Sequence, residues 1–185
     1  MILRAATPGD AASLSDLYAP YVRETAVSFE VEPPDSAEMR RRIDGGKDLY
    51  PWLVAEADAA ILGYAYAGAF RARPAYRFAV ETTVYARRDA LGRGVGTRLY
   101  ETLLAVLAAQ GFTQAIGAIT LPNSASVALH EKLGFRHAGT YARVGWKLGR
   151  WNDVGLWQRA LGAGSDAPAE PLRLAEAGWP ERFLA

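Results

Sequence analysis

The chain has 185 residues, half of them hydrophobic, which is enough for one domain with a substantial core and too few for two ordinary ones. Its 21 basic and 20 acidic residues leave a net charge of +1, so bulk electrostatics direct it neither to nucleic acid nor to a membrane surface. The absence of cysteine excludes a disulfide framework, thiolate metal ligands and a cysteine nucleophile. Met1-Ile2-Leu3-Arg4 lacks the apolar run of a signal peptide, and no apolar stretch reaches the roughly 18 to 20 residues of a membrane span. A cytoplasmic chain is the expectation.

In chain order, Ile2 to Ala5 reads as a short strand, and Thr7-Pro8-Gly9-Asp10 as a turn that ends in a helix N-cap. Leu14, Leu17, Tyr18 and Tyr21 then recur at helical spacing. A second helix is predicted from Asp35, because Pro33-Pro34 interrupts the chain and Glu38 stands three residues on as in a capping box; Gly45-Gly46 ends it. Trp52 to Ala57 and Ile61 to Ala69 read as strands joined by a tight hairpin, and Phe78 to Ala86 as the next strand. After a glycine loop, Leu99, Leu103, Val106 and Leu107 mark one side of a helix that Gly111 closes. Gln114 to Leu121 is a strand, Ala125 to Leu133 a helix closed by Gly134, and Arg136 to Lys147 and Asp153 to Ala160 two more strands. The order predicts a mixed α/β fold, a largely antiparallel central sheet flanked by helices, over residues 1–161. Beyond Leu161 a Gly-Ala-Pro-rich stretch opens an extension, 162–185, for which both a docked helix and disorder stay open.

The most informative segment is Val80-Glu81-Thr82-Thr83-Val84-Tyr85-Ala86, which leads through Arg87 to Leu91 into Gly92-Arg93-Gly94-Val95-Gly96-Thr97. Glycines let backbone approach a ligand, and the free N–H groups of the following helix terminus suit a pyrophosphate. The alternative is a plain strand-to-helix turn. The loop has neither the Lys-Ser/Thr of a P-loop nor the placement of a dinucleotide fingerprint. Arg87, Arg88, Arg93 and Arg98 surround it, as phosphate partners or as a solvated basic surface.

With Thr25-Ala26-Val27-Ser28-Phe29-Glu30 before Pro33-Pro34, Asn123 to Phe135, and Val144-Gly145-Trp146-Lys147-Leu148-Gly149-Arg150-Trp151-Asn152-Asp153-Val154, this segment resembles the GNAT superfamily of acetyl-CoA-dependent N-acetyltransferases. The combination is similar to its phosphinothricin and methionine sulfoximine acetyltransferase branch. One departure is Leu91, where the superfamily usually carries Gln or Arg. The resemblance implies the GNAT fold, acetyl-CoA as co-substrate without a metal, and a homodimer. It implies that Val84, Tyr85 and Ala86 offer unpaired backbone to the pantetheine, that Gly92, Arg93, Gly94, Val95, Gly96 and Thr97 cradle the pyrophosphate, and that Asn123 contacts the cofactor. Lys132 is either a further cofactor contact or an exposed helix lysine.

Acetyl transfer to an ammonium needs a base for the amine and a proton for the leaving thiolate. Glu81 is the candidate base, sharing a strand face with Thr83 and Tyr85; an edge-strand ion pair is the other reading. His130 stands where many superfamily members have a tyrosine acid, and the resemblance implies that role; a packed, hydrogen-bonded core histidine is the alternative. Phe70 to Phe78 interleaves arginines with aromatics, a pattern suited to a small zwitterion rather than RNA, given the near-neutral charge. Phe29, Glu30, Ala75, Tyr76 and Arg77 are the expected substrate contacts. The resulting expectation is direct transfer to the α-amino group of a small amino-acid analogue. Another amine, a polyamine or protein N-terminus, or a non-catalytic acyl-CoA-binding module are the alternatives.

Overall fold

The computed structural model describes residues 1–46, 48–162 and 167–178. Its elements in chain order are β1 (Ile2–Ala5), α1 (Ala11–Glu24), α2 (Ser36–Gly46), β2 (Trp52–Ala57), β3 (Ala60–Ala69), β4 (Ala79–Ala86), α3 (Val95–Ala109), β5 (Gln114–Leu121), α4 (Ser124–Lys132), β6 (Arg136–Lys147), β7 (Arg150–Ala160) and the short α5 (Leu174–Ala177). The seven strands form one sheet in the order β1-β2-β3-β4-β5-β7-β6. Every neighbouring pair is antiparallel except β4 and β5, as a strand–helix–strand connection through α3 requires.

Local chemistry explains the boundaries. The β2–β3 hairpin turns at Asp58 and Ala59, both left-handed with φ of 51° and 59°, the twist that suits a two-residue hairpin. Asp35 Oδ1 accepts the Glu38 N–H at 2.7 Å and starts α2. Asp10 does occupy the position before α1, but its side chain makes no cap bond there. Its carboxylate turns back to the Thr7 N–H at 2.7 Å and to both terminal nitrogens of Arg4 at 2.8 Å, because a charged fork outcompetes a neutral cap.

Alternation along the strands builds two cores. On one face α3 buries Leu99, Leu103 and Leu107, each fully, against Leu53, Ala65, Val80 and Ala115. Burial of each leucine stabilises by roughly 2 kcal/mol. On the other face α1 and α2 bury Leu14, Val22, Met39 and Ile43 against Trp52, Val54 and Tyr64.

The strand pair that matters is β4 and β5. Their register runs only Ala79↔Gln114, Val80↔Ala115 and Glu81↔Ile116. Beyond it β5 continues beside β7 to Leu121 and β4 continues beside β3 to Ala86. The two strands therefore diverge into a fork that opens from Thr82 onward.

Of the extension, residues 167–178 lie along the protein. The Gln110 side chain, fully buried at the end of α3, donates from Nε2 to the Leu172 and Leu49 carbonyls at 3.0 and 2.9 Å. The Leu172 N–H returns a bond to the Gln110 carbonyl at 2.7 Å, and Leu174 N–H bonds Asp48 O. The expectation of a docked helix or a disordered tail also covers 163–166 and 179–185, which lie outside the described residues.

Candidate active site

The fork opens into a trough of ≈ 470 Å³ between the ends of β4, the loop before α3, and α4. Val84, Tyr85 and Ala86 form its β4 wall, Gly92, Gly94, Val95, Gly96 and Thr97 its floor, and Asn123, Ser126 and Lys132 its α4 side. Arg93, within the glycine loop, is exposed and lies off the lining.

Each wall has a physical reason to bind a long anionic ligand. Gly92 and Gly94 hold φ of 74° and 79°, a left-handed backbone that glycine adopts without strain. Gly94 is the N-cap of α3 and supplies no side-chain cap, so the first turn of α3 keeps its N–H groups and positive dipole end for a ligand. Beyond Glu81 the β5-facing edge of β4 has no strand partner; the Thr82 and Ala86 carbonyls accept from the Tyr100 and Tyr21 hydroxyls at 3.0 and 2.6 Å, and the edge around Val84 between them is left for an extended amide chain. Asn123 Oδ1 accepts the Ser126 N–H at 3.1 Å as the cap of α4, which leaves its amide nitrogen for the trough. Arg87 is paired with Asp89 at 2.6 Å and Arg88 with Glu24 at 2.7 Å, whereas Arg93 and Arg98 make no ion pair among the described residues.

At the closed end of the fork lies a small cavity of ≈ 50 Å³, lined by Thr82, Thr83, Tyr100, Asn123, Ser126 and His130 among others. His130 is only 4% exposed and both ring nitrogens are engaged. Nδ1 lies 2.7 Å from the Ser126 carbonyl, and Nε2 lies 3.0 Å from the Tyr100 hydroxyl. Because a carbonyl only accepts, Nδ1 carries the proton, and in the neutral ring Nε2 accepts from Tyr100. Burial lowers the imidazole pKa from its ordinary value, partly offset by the Ser126 carbonyl. Gly117 on β5 makes this possible: a Cβ there would come within 2.4 Å of His130 Nε2.

Glu81 stands at the last position of β4 that pairs with β5. Thr82 points to Tyr100 on the α3 side, at 3.0 Å between oxygens, so strand alternation turns Glu81 to the opposite face. There it is accessible to solvent, yet the surrounding protein raises its carboxyl pKa by desolvation. Glu81 and His130 thus flank the fork from opposite faces of the sheet.

The expected substrate residues divide. Phe29 packs on β6 where Gly145 lacks a side chain; a Cβ there would lie 2.1 Å from its ring. The Glu30 carboxylate is committed to Arg42 at 2.8 and 3.1 Å and to the Tyr18 hydroxyl at 3.0 Å. Buried Lys147 donates to the Ser28 carbonyl at 2.6 Å, so the 25–30 loop is clamped from both sides. Ala75 and Tyr76 sit in an exposed turn, Tyr76 edge-on to Phe70 with Arg71 over both rings. Arg77 is drawn into an exposed pair with Glu170 of the extension at 2.7 Å. Sequence reading overlooked Thr82, Tyr100, Ser126, Gly117, Gly145 and Lys147. Except for Ser126, one helical turn before His130, their partners lie many residues away in the chain, and only a polar residue within an apolar helix face, Tyr100, hinted at such a role.

A domain model described as an acetyltransferase (GNAT) domain matches residues 3–156. The chain is 42% identical over 171 residues to phosphinothricin N-acetyltransferase of Streptomyces viridochromogenes, covering 92% of each. It is 35% identical to the L-methionine sulfoximine/L-methionine sulfone acetyltransferase of Pseudomonas paraeruginosa, covering 90% of this chain and 98% of that one. Among solved structures, a GNAT superfamily phosphinothricin acetyltransferase from Sinorhizobium meliloti in complex with AcCoA superposes with a TM-score of 0.85 at 39% identity, over 92% of this chain and 94% of the other. The forked sheet, the glycine loop at the head of α3 and the match across nearly the whole chain lead to one conclusion: this chain belongs to the GNAT acetyltransferase family.

Proposed function

We propose that the protein transfers acetyl from acetyl-CoA to the α-amino group of a small amino-acid analogue of the phosphinothricin or methionine sulfoximine type. The observation that carries the reading is the trough, in which nearly every expected cofactor residue lines one continuous concavity that leads to the fork beside Glu81. Bound acetyl-CoA supplies the thioester carbonyl that the amine attacks. The α3 terminus and the two left-handed glycines hold the pyrophosphate, the open edge of β4 takes the pantetheine amides, and Asn123 and Lys132 close the α4 side.

Glu81 removes the proton that makes the amine a nucleophile, and its raised pKa moves its basicity part of the way toward that of an amine. His130, on the other face of the fork, serves the leaving thiolate. The clamped 25–30 loop carries Phe29 toward the substrate side and, with Glu30 neutralised by Arg42, leaves Glu81 as the carboxylate for the ammonium. Arg71 and Arg73, exposed beside Phe70 and Tyr76, supply cations for the substrate's acidic end.

The proposal extends to a cytoplasmic location, where acetyl-CoA is available, and to a homodimer. Tyr141, Val144, Trp146, Leu148 and Trp151 stand 48 to 60% exposed on the β6–β7 hairpin, an apolar concentration that a second copy would cover. Light scattering should give the mass of two chains. A free-thiol release assay with acetyl-CoA against phosphinothricin, methionine sulfoximine, amino acids, polyamines and peptides tests the activity. Release with the two analogues at the highest kcat/KM is expected. Preference for polyamines or peptides would overturn the substrate assignment, and measurable acetyl-CoA binding without release to any amine would overturn the catalytic one.

A further inference from the structure

The role given to His130 needs its ring neutral at one point of the cycle and protonated at another, at a position only 4% exposed. A buried imidazole that gains a proton ordinarily leaves a donor or an acceptor unpaired, which is costly. The closed end of the fork removes that cost. Where the β4–β5 ladder stops, two backbone carbonyls are met by side chains. The Tyr100 hydroxyl lies 3.0 Å from Thr82 O, and Thr82 Oγ1 lies 3.3 Å from Ile116 O. Tyr100 is also 3.0 Å from Thr82 Oγ1 and 3.0 Å from His130 Nε2.

These distances accommodate two hydrogen-bond sets on the same heavy atoms, each with all its donors paired. With His130 neutral, Thr82 Oγ1–H donates to Tyr100, Tyr100 O–H donates to His130 Nε2, and Nδ1–H donates to Ser126 O. With His130 protonated, Nε2–H donates to Tyr100, Tyr100 O–H turns to Thr82 O, and Thr82 Oγ1–H turns to Ile116 O. The Nδ1 bond is unchanged. The imidazole gains one proton, one N–H bond forms, and two hydroxyls rotate; every donor of the cluster is paired in both states, and the Thr82 carbonyl takes the Tyr100 hydroxyl only in the protonated one.

We propose that Tyr100 is a positioning residue for the transfer reaction, whose hydroxyl switches between His130 Nε2 and the Thr82 carbonyl and so lets His130 change charge inside the closed fork. The inference rests on the reading that His130 serves the leaving group. The ring is packed by Tyr100 from α3, Phe135 ahead of β6 and Gly117 from β5, with Thr82 of β4 lining the same cavity, and of these only Tyr100 titrates. Glu81, on the far face, acts on the Tyr100 hydroxyl through space. Complete burial holds that hydroxyl's pKa well above its ordinary value, so Tyr100 keeps its proton and acts by rotation alone.

The test is nitrogen-detected NMR of the two histidines together with the kcat–pH profile, in the wild type, Tyr100→Phe and Thr82→Val. His137, exposed and bonded to Thr140 Oγ1, is the internal control. At neutral pH wild-type His130 should carry its proton on Nδ1, with Nε2 shifted by an accepted hydrogen bond. In Tyr100→Phe that shift should relax toward an unbonded nitrogen. Loss of the bond to the charged ring outweighs loss of the neutral one, so the His130 pKa read by NMR, and with it the alkaline limb of kcat, should fall by about half to one pH unit. The rate itself should drop about tenfold or more, with KM for acetyl-CoA within about twofold. Thr82→Val removes the shorter bond from the neutral set and the longer one from the protonated set, so it should leave the limb unchanged or raised. A wild-type ring protonated on Nε2 alone, or an Nε2 shift indifferent to Tyr100→Phe, would overturn the hydrogen-bond sets. An altered Nε2 with an unaltered rate and profile would overturn the link to turnover. Absence of thiol release by the wild type would instead remove the functional reading and leave the two hydrogen-bond sets to be judged by NMR.

Discussion

At the scale of single residues, position relative to the fork separates groups that share the same chemistry. Glu81 and Glu30 are both carboxylates on the substrate side, yet Glu30 is satisfied by Arg42 and Tyr18 while Glu81 makes no ion pair among the described residues and is shifted upward by desolvation alone. Of the two, Glu81 is therefore the carboxylate whose affinity for a proton is raised. Glu81→Gln should lower kcat by roughly 10²- to 10⁴-fold, the range of a positioned general base, with acetyl-CoA binding retained in calorimetry. Because the raised pKa places the wild-type acid limb above that of an ordinary glutamate, the limb assigned to this group should vanish in the variant. A limb that survives Glu81→Gln assigns the base elsewhere. Strand alternation made this residue legible in the sequence; its freedom from ion pairing was not, since Arg42 and Glu30 are brought together only by the packing of α2 on the 25–30 loop.

At the scale of elements, the glycine loop and α3 act as one unit. The loop positions the helix terminus, and the leucine stripe of α3 holds that terminus against the sheet. Gly94 is the joint, with nothing within 4 Å of the position a Cβ would take, so a substitution there meets backbone strain and no clash. Gly94→Ala should cost about 1 to 2 kcal/mol through its left-handed φ and raise KM for acetyl-CoA several-fold. KM for the amine should stay nearly unchanged, and paired saturation curves decide it. Leu91, where the superfamily usually has a polar residue, lines the trough with its exposed side chain, which is consistent with backbone N–H groups supplying the pyrophosphate contacts. Element types and most boundaries were legible because hydrophobic periodicity, caps and glycines are local signals. The N-cap side chain of Asp10 was not, because Arg4 reaches it across the turn.

At the scale of the whole molecule, a pair of distant contacts governs the response to acid. Arg4 joins β1 to Asp10 and to Glu56 of β2, both at 2.8 Å. The Arg4 hydrogen bonds hold the Asp10 carboxyl at about 2, below its ordinary 3.8. A depressed carboxyl contributes stability that is present above the unfolded-state value and lost as pH falls through the folded one, here about 2 kcal/mol lost between about pH 4 and 2. His130, also depressed but by burial, contributes stability that is present above an ordinary imidazole value near 6.5 and lost as pH falls below it. Urea titrations of Asp10→Asn and the wild type should differ by about 2 kcal/mol at pH 7 and converge as pH approaches 2. A constant difference would remove the Arg4 contact as its cause. The extension belongs to this scale too: Glu170 pairs with Arg77, and Gln110 holds Leu172, contacts that no local pattern announced.

What the sequence determined by itself was everything encoded within about one turn or one strand of chain: the order of elements, the glycine loop, the acidic position on β4 and, through the resemblance of its motifs, the family. What only the tertiary structure decided was the pairing of polar groups across the fold. The fork exists because the β4–β5 ladder stops at Glu81↔Ile116, and its closed end is completed by Tyr100, Gly117 and His130, residues from α3, β5 and α4. Such contacts follow from the way separate helices pack on the sheet, and a buried hydrogen bond leaves no periodicity in the chain that makes it.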